Sequence, residues 1–192
     1  MNRMRDIATA GRYALSMAAT GQGRTSIRIN VDGRGESNVE TGVPVLSHLV
    51  ALLATHAGFD LTLSVEPGSA DAEIDGAARA LGEALEGPLR ADGARGHGAA
   101  AVPADEALAH VALEASGRPL LVSNVDLSRA RVGGLATDLA ARFLDRFAYC
   151  AGLTLHVRLI EGSETQHVLD AIFKALGAAL ADACGPRRSV AT

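Results

Sequence analysis

The residues best able to do chemistry in this chain are a few histidines and acids at helical spacing. Gln166, His167 and Asp170 lie close together, and Asp71 and Asp75 repeat the wider of their spacings. On a helix, positions three and four apart share a face. Gln166 or His167 can therefore point with Asp170, and Asp71 with Asp75. His48 lies near the start of a helix opened by Pro44, with His56 two turns on along the same face. His156 sits mid-strand in Leu155-His156-Val157. His167 follows across a strand-to-helix turn, where the two can converge. Imidazoles gathered with carboxylates suit a borderline divalent ion such as Mn, Fe, Co or Zn. His97 and His110 have no partner pattern and read as structural.

Plainer roles compete for the same residues. Both acid sets fall at helix starts, where the backbone dipole favours carboxylates. Ser69 or Asp71 as an N-cap, with Asp75 in the first turn, accounts for one copy of the pattern. Its repetition weighs against capping without overturning it. Lys174 follows Asp170 by one turn, and Arg118 sits in a Gly-Arg-Pro turn. Such cations can hold a phosphate, although an isolated Lys or Arg is more often a solvated surface charge. Gly33-Arg34-Gly35 lacks the lysine and length of a phosphate loop. There is no serine nucleophile elbow and no CxxC.

The elements that must hold these residues follow from periodicity. Thr25–Val31 alternates polar and apolar residues, the pattern of a half-buried strand, and Asp32–Gly35 is turn chemistry. Pro44 opens a helix with Leu46, Leu49, Val50, Leu53 and Ala54 on one face, which Gly58 stops. Leu61, Leu63 and Val65 alternate as a strand; Pro67-Gly68-Ser69 turns, and Ile74–Leu89 reads as a second helix. Leu108–Ala115 and Pro119–Val125 read as strands, Asp138–Ala151 as a helix, Leu153–Ile160 as a strand and Thr165–Ala183 as a helix. Strands followed by helices that cover one face indicate α+β layers.

The chain also repeats itself. Ala57–Val65 lines up with Ala151–Leu159, 94 positions on, and Asp71–Asp75 with Gln166–Asp170 after one extra loop residue. Leu81-Gly82 meets Leu176-Gly177. That period is too long for a solenoid and reads as one half-domain used twice. Two such places can face each other across a pseudo-twofold axis and build one site. The organisation expected is an ill-defined segment 1–23, a first half 24–90, an Ala/Gly-rich linker 91–102, a second half 103–184 and a short tail 185–192.

Composition excludes several functions. The net charge is −4, there is no Trp, and aromatics are 3% of residues. Nucleic-acid binders show a basic face and stacking aromatics, so no nucleic-acid partner is expected. No apolar run reaches the ~18 residues of a membrane span, so no membrane partner is expected. Two cysteines, Cys150 and Cys184, make no disulfide framework and suit a cytoplasmic protein.

Several segments in collinear order resemble one family. Thr41-Gly42-Val43-Pro44-Val45-Leu46-Ser47-His48-Leu49 and His56–Leu61 resemble imidazoleglycerol-phosphate dehydratase. So do Asp105-Glu106-Ala107-Leu108, Ser116-Gly117-Arg118-Pro119, Thr154–Val157 and Asp170–Ala175. The resemblance runs from about Thr25 to Ala183 and implies a duplicated α+β unit of the ribosomal-protein-S5-domain-2-like type. It implies a many-subunit homo-oligomer with Mn2+ ions that bind the imidazole of the substrate. The reaction implied is loss of water from imidazole glycerol phosphate in histidine biosynthesis. It implies metal ligands at His48, His156 and His167, with Asp75 and Asp170 as shortened carboxylates, and phosphate contacts at Arg118 and Lys174.

The chain also departs from the family pattern. Ser47 stands where the family has Asp. Asp71, Ala72 and Asp75 take the place of a first His-His-x-x-Glu, and Gln166, His167 and Asp170 that of a second. Gln22 stands where the family carries an acid/base glutamate, and Gly96, beside Arg95, where it carries an arginine. The family's Ser/Lys-rich C-terminal segment has no counterpart before Thr192, although Arg187-Arg188 stand nearby. The resemblance thus implies one metal ion or none, and no assigned catalytic acid or base. Two readings follow: a diverged dehydratase, or a non-catalytic paralogue serving as a structural subunit or small-anion binder.

Overall fold

The computed structural model describes residues 13–20, 23–125, 131–132, 135–136 and 138–187. Its elements are β1 (Tyr13–Thr20), β2 (Gly23–Asn30), β3 (Ser37–Glu40), α1 (Pro44–Ala57), β4 (Asp60–Val65) and α2 (Ala70–Leu89). The second half continues with β5 (His97–Ala104), β6 (Ala107–Glu114), β7 (Leu120–Ser123), β8 (Arg131–Val132), β9 (Leu135–Ala136), α3 (Asp138–Ala151), β10 (Thr154–Glu161) and α4 (Thr165–Cys184). The first sheet runs β1-β2-β4-β3 and the second β5-β6-β10-β7. In each, the first three strands are antiparallel neighbours, and the fourth joins its neighbour in parallel. The fold is α+β and built twice, with β8 and β9 as a short ribbon inserted before α3.

Local chemistry sets most boundaries. Pro44 enters α1 at its first turn, and Gly58 ends it at φ 68°, a left-handed position that glycine reaches without strain. Helix α2 starts at Ala70, four residues before the apolar stripe predicts. Ser69 caps it by accepting from Ala72 N at 3.3 Å, and Asp71 and Glu73 fill its first turn. Residues 97–104, which overlap the stretch predicted as a linker and the start of the second half, form β5. It pairs with β6 along its whole length through the two-residue turn Asp105-Glu106. Alanine and glycine favour strands poorly; burial against a neighbouring element overrides that preference, and here α4 supplies it. A β-carbon on Gly98 would crowd the Ala179 carbonyl of α4. Residues 13–20, in the ill-defined first segment, pair with β2 as an edge strand.

The two halves join through their helices. The core is mostly Ala, Leu and Val, with Phe59, Phe143, Phe147 and Phe173 all fully buried. Gly82 of α2 rests on α3: a β-carbon there would stand 3.0 Å from both the Phe147 carbonyl and the Ala151 N. Gly177 of α4 rests on α1 in the same way, where a β-carbon would crowd the Leu53 carbonyl and stand 3.1 Å from Ala57 N. Leu53 and Ala57 are the repeat partners of Phe147 and Ala151. The repeat is therefore a pseudo-twofold relation in space, pairing α1 with α4 and α2 with α3. On each sheet, alternate residues turn away from the helices. On β10, Leu155 and Val157 are buried while His156 and Arg158 are exposed.

The Gly177 contact is with backbone, and the Gly82 contact is with backbone and with Cys150 Cβ, which moves only with its own backbone, so neither can relax by a change of rotamer. Gly177→Ala is expected to lower stability by about 1–3 kcal/mol, the usual range for overpacking. The check is the urea midpoint, which should fall with little change in slope.

Candidate active site

The start of α4 gathers the residues that sequence singled out in the second half. Gln166 and Asp170, one turn apart, share a face, and the Gln166 amide donates to Asp170 Oδ1 at 2.7 Å. Because α1 runs against α4, His48 reaches the same carboxylate, with Nε2 3.2 Å from Asp170 Oδ1. Asp170 is 19% exposed and His48 51%, so the pair opens to solvent on the imidazole side.

Beside it stands a second histidine–carboxylate pair. His167 Nδ1 is hydrogen-bonded to Glu106 Oε2, and its Nε2 lies 3.5 Å from Asp105 Oδ2. Asp105 and Glu106 form the β5–β6 turn, with Asp105 at φ 49°, a conformation that aspartate tolerates better than most residues. Glu106 also accepts from the backbone of Glu164 at 2.8 Å and Ser163 at 3.4 Å. These donors lie at the α4 N-terminus, whose dipole favours an anion. The Glu164 amide first, and His167 second, hold the Glu106 carboxyl down to about 2. The hydrogen bond to Glu106 in turn raises His167 above its ordinary value. A carboxylate on one imidazole nitrogen fixes the ring, and here the other nitrogen faces Asp105. Glu106 stands within a motif that carries the resemblance, yet its role is invisible until the hairpin brings it to α4.

The first-half acids are elsewhere. Asp71 meets Arg142, and Asp75 Oδ1 lies 3.0 Å from Arg146 Nε, both pairs joining α2 to α3. They line a cleft of about 260 Å³ with Thr25, Ser69 and Arg79. Within one chain the two repeat copies therefore do not face one another to build one site, as the sequence suggests. Each is met by the helix of the opposite half, α3 or α1. The arginines carry no recognisable motif. The signal that finds them is the repeat itself, which carries His48 onto Arg142.

The remaining candidates lie apart in the chain. His156 is exposed on the open face of β10, opposite Ala112. Five residues separate it from Glu161, where β10 meets Leu108 near the hairpin turn, which is roughly 16 Å of strand. His156 and His167 do not converge within one chain. Arg118 is exposed in its turn, where its carbonyl accepts from Ser116 Oγ and Thr154 Oγ1. Lys174 is half-buried one turn beyond Asp170. His56 is bonded to the Leu52 carbonyl of its own helix at 2.9 Å. Gln22 and Arg188 lie outside the described residues. Among the described residues, no three His, Cys, Asp or Glu side chains form a group able to hold a metal ion. His167 is oriented as a ligand would be, but one chain by itself does not make a complete metal site.

Comparison with known proteins places this arrangement. The family profile of imidazoleglycerol-phosphate dehydratase matches residues 41–180. The chain belongs to the imidazoleglycerol-phosphate dehydratase family. The matched span contains both histidine–carboxylate pairs and both arginine-held acids. An imidazoleglycerol-phosphate dehydratase of Acetivibrio thermocellus is 40% identical over 171 residues, covering 85% of this chain and 86% of the relative. One of Syntrophobacter fumaroxidans is 43% identical over 157 residues, covering 79% of each. The crystal structure of the Staphylococcus aureus dehydratase superposes with a TM-score of 0.82 at 30% identity, over 91% of this chain and 99% of that one. That of Pyrococcus furiosus gives 0.80 at 25% identity, over 92% and 97%. The duplicated α+β fold is thus the family's own.

The His167–Glu106 pair makes a pH-dependent contribution to stability. Glu106 is depressed, so its share is present above about 4.5 and is lost as pH falls through about 2. His167 is raised, so its share is full below 6.5 and is lost as pH rises through its higher folded value. Both are full between about 4.5 and 6.5. In chelator-treated protein, the NMR titration midpoint of His167 is expected above 6.5 and should fall in Glu106→Gln.

Proposed function

We propose that this chain is a diverged dehydratase that removes water from imidazole glycerol phosphate in histidine biosynthesis. The observation that carries the reading is the two histidine–carboxylate contacts at the start of α4, in a chain of this family. Removing water requires a base to take a proton and an acid to protonate the departing hydroxyl. Imidazoles at His48 and His167 are each oriented by a carboxylate. Lys174, one turn beyond Asp170, and Arg118, in the turn beside the start of β10, are the cations proposed for the substrate phosphate.

Manganese belongs to the same proposal, with His48, His167 and Asp170 as donors. When bound, the ion would supply Lewis-acid chemistry. His156 lies on an open sheet face, away from these donors, and joins them only from another copy. A homo-oligomer is therefore the proposed working state, and the cytoplasm its setting, since Cys150 and Cys184 form no disulfide. One observation favours the non-catalytic alternative: the first-half acids are held by arginines.

The test is rescue of a histidine auxotroph that lacks its own dehydratase. The wild-type chain should restore growth, and His48→Ala should not. Glu106→Gln, which loosens His167 without removing it, should lower kcat/KM about 10–100-fold, as losing a carboxylate behind a working histidine does. Soluble, folded protein that neither rescues growth nor dehydrates the substrate with added Mn2+ would leave the non-catalytic reading in its place.

A further inference from the structure

The duplication supplies two equivalent places, and they have come to hold different chemistry. A shift of 94 or 95 positions carries α1 onto α3 and α2 onto α4, so that His48 falls on Arg142, Asp71 on Gln166 and Asp75 on Asp170. The backbone crossing is alike in both, as Gly82 on α3 and Gly177 on α1 show. In the α1/α4 place an imidazole meets the helix carboxylate. In the α2/α3 place the corresponding position is a guanidinium, and a second one follows a turn later at Arg146.

That exchange changes what each place can bind. A neutral imidazole has a lone pair to give, whereas a guanidinium has only donors and keeps its charge at any pH the fold survives. Asp71 and Asp75 each have a cation fixed beside them. A divalent ion entering there must break two ion pairs and then sit next to two like charges. At the α1/α4 place, Gln166 and His48 are the neighbours of Asp170, and neither brings a permanent positive charge.

We propose that the α2/α3 place is a guanidinium-closed copy of the α1/α4 site. Asp71 and Asp75 stay paired with the α3 arginines and take no metal, so each chain contributes donors to one metal-binding place where the duplicated fold has room for two. The inference deepens the manganese reading above and rests on it for the α1/α4 place alone.

Equilibrium dialysis of the full chain against Mn2+, followed by elemental analysis, reads the ions held per chain. Asp75→Asn should hold as many as the wild type, and Asp170→Asn fewer. Arg142→His combined with Arg146→Gln, shown folded by circular dichroism, should hold one more ion per chain than the wild type. Adding Asp75→Asn to that pair should abolish the gain. A lower count in Asp75→Asn alone overturns the proposal, as does a folded Arg142→His/Arg146→Gln chain with no added ion. A wild type without manganese would remove the metal from the functional reading, while the gain in the Arg142→His/Arg146→Gln chain would still uphold the closed copy.

Discussion

The close crossing of helices from opposite halves is the constraint on which the rest of the structure depends. Helix α4 lies against α1 at Gly177, and α2 against α3 at Gly82, with peptide groups touching where any side chain would intervene. Close packing of this kind holds interiors near crystal density and leaves little slack to absorb a shift. It fixes the direction in which each helix enters its partner. One turn geometry then brings His48 to Asp170, and the same geometry brings Arg142 and Arg146 to Asp71 and Asp75. The functional groups are passengers on a crossing that the apolar core determines.

Given that crossing, electrostatics decides how the two ends differ. Glu106 is drawn to the first amides of α4, and His167 is drawn to Glu106, so backbone dipole, carboxylate and imidazole form one chain of causes. At the opposite end the acids neutralise arginines across the helix interface. These are exposed pairs, with Arg142 and Asp71 each more than half accessible, and such contacts add little to stability. Their importance lies in the charge they place beside the acids.

Much of this was legible from the chain. Alternation in Thr25–Val31 gave β2, Pro44 and Gly58 bracketed α1, and the stripe of Leu139, Phe143, Leu144 and Phe147 marked α3 from Asp138 to Ala151. The internal repeat announced the duplicated fold, and the spacing of Gln166 and Asp170 announced their contact. What was hidden depended on tertiary context. Strand β5 is half alanine, with Gly98 and Pro103 inside it, and becomes a strand only because α4 and β6 flank it. The partners of Asp75 and His167, namely Arg146 and Glu106, come from elements far along the chain, and no local pattern assigns them. His156 reads as a strand residue from its neighbours, but which face it takes is set by Leu155 and Val157 filling the core.

The bonds that tie the α4 site to the rest of the fold all span long stretches of chain. Glu106 reaches Glu164 across 58 residues and His167 across 61, and His48 reaches Asp170 across 122. Contacts of such separation form late, after loop closure has been met by other burial. During synthesis, His48 and the Asp105-Glu106 hairpin emerge long before the helix that completes them. A nascent chain lacking α4 therefore holds no partial version of the site, and the presence of the two histidine–carboxylate pairs is itself a report that the whole domain has closed.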